Sequence, residues 1–105
     1  MTRAIEMLRA APNEGKRPPL LALEHTQCTA HDVCALQKAC VTAYRTQVEA
    51  LEGVAAVRRA VRDTAVVPPE TTELLSRAVS ALGDAERLAT QCADLEAAAR
   101  RKYSL

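Results

Sequence analysis

Apolar residues recur at alternating intervals of three and four along two long stretches of this chain. The first row runs Val33, Leu36, Cys40, Ala43, Gln47, Ala50, Val54, Val57 and Val61, with Gln47 as its one polar member. The second runs Leu74, Ala78, Ala81, Ala85, Leu88, Cys92, Leu95 and Ala99. A seven-residue repeat sustained over this length predicts two amphipathic helices meeting in a left-handed, coiled-coil-like seam. The helices are placed at residues 30–63 and 69–102, on either side of a break at Thr64–Pro69.

The flanking residues agree with those bounds. Thr29 is placed to cap the first helix by accepting the Asp32 amide, and Asp32 adds acid where the dipole favours it. Pro68–Pro69 suits a helix start, Glu70 and Glu73 follow in the first turns, and Arg100, Arg101 and Lys102 close the second helix. So short a connection forces the two helices antiparallel. Val66 is equidistant along the chain from Cys40 and Cys92, so folding back there brings the two thiols together. The same register sets Gln47 opposite Ala85. It also puts Gly53 and Gly83 at similar heights, as surface glycines or where a third element crosses closely.

Upstream, Thr2–Ala11 reads as a short amphipathic helix that Pro12 stops. Asn13–Pro19, with one glycine, two prolines and mixed charge, reads as a linker. Leu20–Leu23 is a brief apolar patch, about one helical turn, that covers the end of the hairpin. The expected fold is therefore all-α: a long antiparallel two-helix hairpin with a short N-terminal helix. Residues 1–28 supply the short helix and linker and residues 29–105 the hairpin, within a single structural domain. A lone hairpin buries only one stripe per helix. It needs the N-terminal segment packed across it, a second copy completing a four-helix bundle, or disulfides.

Composition sharpens this picture. The 105 residues include no Trp and no Phe, so the core is thin. A net charge of +1 gives no electrostatic case for nucleic acid or an anionic membrane, and no apolar run is long enough to span a bilayer. Four cysteines favour two disulfides. Cys40 and Cys92 share the seam, whereas Cys28 precedes the cap and can curl back to Cys34. Paired cysteines would place the chain outside the cytoplasm. A native start at Met1, with no apolar leader, would place it inside.

The alternative for this region is a zinc site. His25, Cys28, His31 and Cys34 are four nitrogen and sulfur ligands within ten residues. In a helix, however, steps of three drift around the cylinder, and no turn shapes a knuckle. That alternative carries either a bound metal or a Cys28/Cys34 thiol cycle. No Cys-x-x-Cys, Glu-x-x-His or glycine-rich phosphate loop is present. Glu49, Glu52, Glu86, Asp94 and Glu96 lie off the seams and read as solvated. Arg58, Arg59 and Arg62 form a small basic patch near the hairpin tip that Asp63, Glu70 and Glu73 can neutralise.

No catalytic residue is assigned. The expected role is a non-enzymatic interaction or structural module binding a protein partner or a second copy of itself. Leu75, Leu82 and Ala89 widen the second stripe on one flank and are the expected interaction face.

Overall fold

The computed structural model describes residues 1–63 and 67–103. Among them are four α-helices, one 3-10 turn and no strand. Helix α1 spans Thr2–Ala10, the 3-10 turn Asn13–Gly15, α2 Arg17–Glu24, α3 His31–Asp63 and α4 Pro69–Tyr103. The fold-back position expected at Val66 lies outside the described residues. Helices α3 and α4, of 33 and 35 residues, pack against each other as a hairpin. They set the long dimension of a molecule measuring 56 × 22 × 18 Å.

Three contacts at different heights establish the antiparallel course. Asp32 bonds Tyr103 at the open end, Cys40 is joined to Cys92, and Gly53 lies against Ala78. Both expected disulfides are formed, with Cα–Cα distances of 5.4 Å for Cys28–Cys34 and 4.8 Å for Cys40–Cys92. Ala43, Ala50, Ala78 and Ala85 are buried, so the axes approach closely without large side chains between them. A methyl group at Gly53 would sit 3.4 Å from the Ala78 Cβ, and one at Gly83 would meet open space. Thus Gly53 faces the partner helix itself, and neither glycine marks the crossing of a third element.

The start of α3 differs in detail from the expected cap. The Asp32 carboxylate, rather than the Thr29 hydroxyl, accepts a backbone N–H, that of Val33 at 3.0 Å. The Ala30 carbonyl accepts the Cys34 N–H at 2.9 Å.

Asn13–Pro19 contains more structure than the linker reading allows, and the turn expected at Leu20–Leu23 belongs to a longer helix. Arg17–Glu24 is a two-turn helix, with its prolines in the opening positions, where a missing N–H costs no intrahelical bond. It runs antiparallel to α3: Arg17 pairs with Glu52, and Glu24 with Arg45. Gln37 Nε2 ties its end down by donating to the carbonyls of Leu23 and Thr26 at 2.7 and 2.6 Å. The groove that receives α2 is a second row on α3, Val41, Tyr44 and Val48, all buried. Helix α1 lies against the other side of the open end, where Glu6 pairs with Arg100 and Arg9 with Glu96. One buried cluster joins Ile5 and Leu8 of α1 and Leu20 and Leu23 of α2 with Leu36 and Cys92 of the hairpin. Burying each of these larger apolar side chains is worth about 2 kcal/mol, enough to hold helices too short to form alone.

Lys16 links the two short helices. Its side chain is buried, and Nζ donates to the carbonyls of Leu8, Arg9 and Ala11 at 3.0, 3.2 and 2.8 Å. A cation thus satisfies the end of α1, where carbonyls lack intrahelical partners and the dipole is negative. Burial pushes its pKa below the ordinary lysine value. Lys16→Met should destabilise the fold by ~2 kcal/mol, the scale of charge-assisted hydrogen bonds lost from a buried site. Denaturant titration of both proteins checks this, and a loss no larger than that of an exposed lysine contradicts it. The two disulfides should also separate. Cys40 and Cys92 are 52 residues apart and Cys28 and Cys34 six. Replacing the first pair by alanine should cost ~4 kcal/mol and the second ~2 kcal/mol on the chain-entropy scale.

Candidate interaction surface

At the open end of the hairpin, around the cysteine and histidine cluster, the chemistry is spoken for. Cys28 and Cys34 are bonded to each other, and His25 Nδ1 lies 2.8 Å from the Leu21 carbonyl. The set His25, Cys28, His31 and Cys34 is therefore not assembled around a common point. Among the described residues, no group of three or more His, Cys, Asp or Glu side chains is placed to hold a metal ion. Next to this cluster, Asp32 receives Lys102 Nζ at 2.9 Å and the Tyr103 hydroxyl at 2.8 Å. These contacts join the first turn of α3 to the last turn of α4. The Lys102 ammonium, and then the Tyr103 hydroxyl, hold the Asp32 carboxyl down to about 2.

Glu96 departs from the solvated reading. It is buried beneath α1, where Arg9 Nη2 donates to its Oε1 at 3.1 Å and Arg9 Nε to the Tyr44 hydroxyl at 3.2 Å. Hydrogen bonding and charge from Tyr44 and Glu96 raise the Arg9 pKa, although desolvation is the largest single influence and opposes them. The α1–α2 unit covers one flank of α4 here, and the other flank stays open. Glu96 is consequently inside, whereas Leu95, a member of the predicted seam, is 41% exposed.

The expected interaction residues divide between two settings. Leu82 and Ala89 are half-buried in a cleft of about 300 Å³ that Arg9, Lys16 and Tyr44 also line. Gln47 and Ala85 face the same cleft, and Gln47 Oε1 has no hydrogen-bond partner among the described residues. Leu75, by contrast, opens onto the half of the hairpin that α1 and α2 do not reach. It is 40% exposed, Val61 is 46% exposed and Val79 58%. On α3 the row that receives α2 continues past Val48 through Leu51 and Ala55 to Arg58 and Arg62.

Two adjoining hollows follow that row. One, of about 470 Å³, lies between the 3-10 turn and α3 and includes Glu14, Arg17, Leu51 and Arg58. The next, of about 520 Å³, continues to the tip between Val57, Val61, Arg62 and Leu75. Val54 and Arg58 line both, so they form one groove. Glu73 pairs with Arg77. Among the described residues, Arg58, Arg59 and Arg62 have no ion pair, so the expected neutralisation of the basic patch does not occur there. Residues 41, 44, 48, 51 and 55 repeat at the same three-four spacing as the seam, and that second period on α3 is the sequence signal for the groove. No helix among the described residues is long and apolar enough to cross a membrane.

The chain matches no protein-family model, no curated protein and no solved structure.

The Asp32 contacts carry a pH dependence. The folded carboxyl titrates near 2, below its ordinary value of 3.8. Its contribution to stability is therefore complete above the unfolded value and is lost as pH falls from 3.8 towards 2. Asp32→Asn should lower the melting temperature at pH 6, and the gap to the wild-type protein should close as pH approaches 2. Thermal melts of both proteins across that range test this, and a constant gap is the contrary result.

Proposed function

We propose that this chain is a non-enzymatic interaction module, a disulfide-stapled helical hairpin that binds another polypeptide along its uncovered half. The observation that carries this reading is the contrast between the two halves. Around Cys40 and Cys92, four helices enclose one buried cluster. Beyond the 3-10 turn, the described residues comprise only α3 and α4, which expose Val61 and Leu75 along a groove whose Arg58 and Arg62 have no ion pair among the described residues, while Leu74 and Val79 are exposed on α4 outside it. Apolar side chains grouped in a groove with a polar rim are the usual mark of a docking surface. Disulfides persist in oxidising surroundings, so such a module suits an extracytoplasmic site of action.

This reading separates binding from folding. Leu75→Glu combined with Val79→Glu should change the stability of the isolated chain by no more than ~0.5 kcal/mol, as for ordinary surface substitutions. A photo-crosslinking side chain at position 75, in the protein expressed in its native host, should yield adducts with a polypeptide. The same group at Met7, which is exposed on α1, should not. Equal labelling at both positions, or none at position 75, overturns the proposal.

A further inference from the structure

The two hollows of the groove differ in charge. Glu14, Arg17, Glu52 and Arg58 line the inner one, with Arg17 and Glu52 paired to each other, so its signs balance. The outer one, of about 520 Å³, is lined by Val54, Val57, Val61 and Leu75 with Arg58 and Arg62, and by no carboxylate among the described residues. Val61 and Leu75 are exposed there. Neither arginine has an ion pair among the described residues. Favourable interaction with the α3 dipole accounts for Arg62 at most, because that effect is confined to the last turn. Two cations one helical turn apart, beside exposed apolar side chains, are complementary to an occupant that brings both acid and an apolar face.

The inner part of the same row on α3 shows the form of such an occupant. Val41, Tyr44 and Val48 receive α2, a helix of eight residues whose Leu20 and Leu23 are buried. Its Glu24 carboxylate accepts a hydrogen bond from Arg45 of α3. The row continues through Leu51 and Ala55 to Arg58 and Arg62 with unbroken three-four spacing. From Val54 to Arg62 is roughly 12 Å of helix, two turns, which is the length of α2. We infer that the outer hollow is the docking site for an acidic amphipathic helix of a partner protein. That helix lies on Val54, Val61 and Leu75 and sets carboxylates about one turn apart against Arg58 and Arg62. This rests on the interaction-module reading and names the chemistry of its partner. The partner gives the outer arm what Leu20, Leu23 and Glu24 give the inner one.

The short overlap sets the strength. A two-turn contact is smaller than the standard interface of stable complexes. Binding is therefore modest, charge guides the encounter, and salt weakens it by screening the two arginines.

Crosslinking combined with charge reversal tests this in the full, oxidised chain. A photo-crosslinking side chain replaces Val61 in the protein expressed in its native host, and the attached segment is sequenced by mass spectrometry. That segment should have apolar residues at three-four spacing and at least two Asp or Glu within a turn of one another. Arg58→Glu combined with Arg62→Glu should reduce the adduct by about tenfold, the scale of two reversed rim charges, in a chain of undiminished helicity. Exchanging the partner's acids for Lys should restore the adduct to that variant. A segment without such acids overturns the inference, as does one from a second copy of this chain. So does an adduct that survives the charge reversal, or a reversed pair that is not restored. In each of these cases crosslinks from position 75 to a polypeptide leave the interaction-module reading standing. Adducts only with lipid or nucleic acid, or none at positions 61 and 75, overturn both.

Discussion

The architecture depends on the closeness of α3 and α4 at the Cys40–Cys92 bond. The bond lies in the seam with both sulfur-bearing residues fully buried; buried alanines follow it towards the tip on α3, at Ala43 and Ala50, and flank it on both sides on α4, at Ala85 and Ala99. Small side chains let the rods approach closely, but they bring little apolar area with them. A hairpin of this kind has a limited hydrophobic driving force of its own. The covalent bond supplies what the thin seam does not, by removing much of the freedom of the unfolded chain. With the rods held at that height, Leu36, Val41, Tyr44 and Val48 form a fixed platform. The short helices α1 and α2 can then dock with Ile5, Leu8, Leu20 and Leu23 already opposed to it.

The long helices, their opposite directions and the pairing of all four cysteines were legible in the sequence, because each follows from a single period or a single symmetry. The heptad spacing needs no knowledge of neighbours, and the central position of Val66 between Cys40 and Cys92 is a property of the chain alone. What was hidden is what depends on a third partner. Asn13–Pro19 reads as a linker because Gly15, Pro18, Pro19 and three charged residues look unpackable. The prolines stand in the opening turn of α2, and Lys16 is drawn inward by the carbonyls at the end of α1.

Glu96 and Leu95 exchange their expected surroundings for a related reason. A heptad row shows which residues face the partner helix, but which flank of the pair is covered is decided by the docking of α1. Arg9 compensates the buried carboxylate, and Leu95 has nothing above it. The interaction residues divide in the same way, with Leu82 and Ala89 drawn under the α1–α2 unit and Leu75 beyond its reach. The second period on α3 was present in the sequence throughout, and it acquires meaning once α2 is seen to occupy half of it.

The covalent topology has a mechanical consequence. Tension applied between the two chain ends passes along the backbone to Cys28, crosses to Cys34, continues to Cys40, crosses the second bridge to Cys92 and leaves through the end of α4. Residues 41–91, and with them the whole outer arm and its groove, hang outside that load path. Stretching the molecule would strip α1 and α2 from their platform while the arm beyond the bridge carried no force, so the packing of the outer hairpin is mechanically insulated from the chain ends.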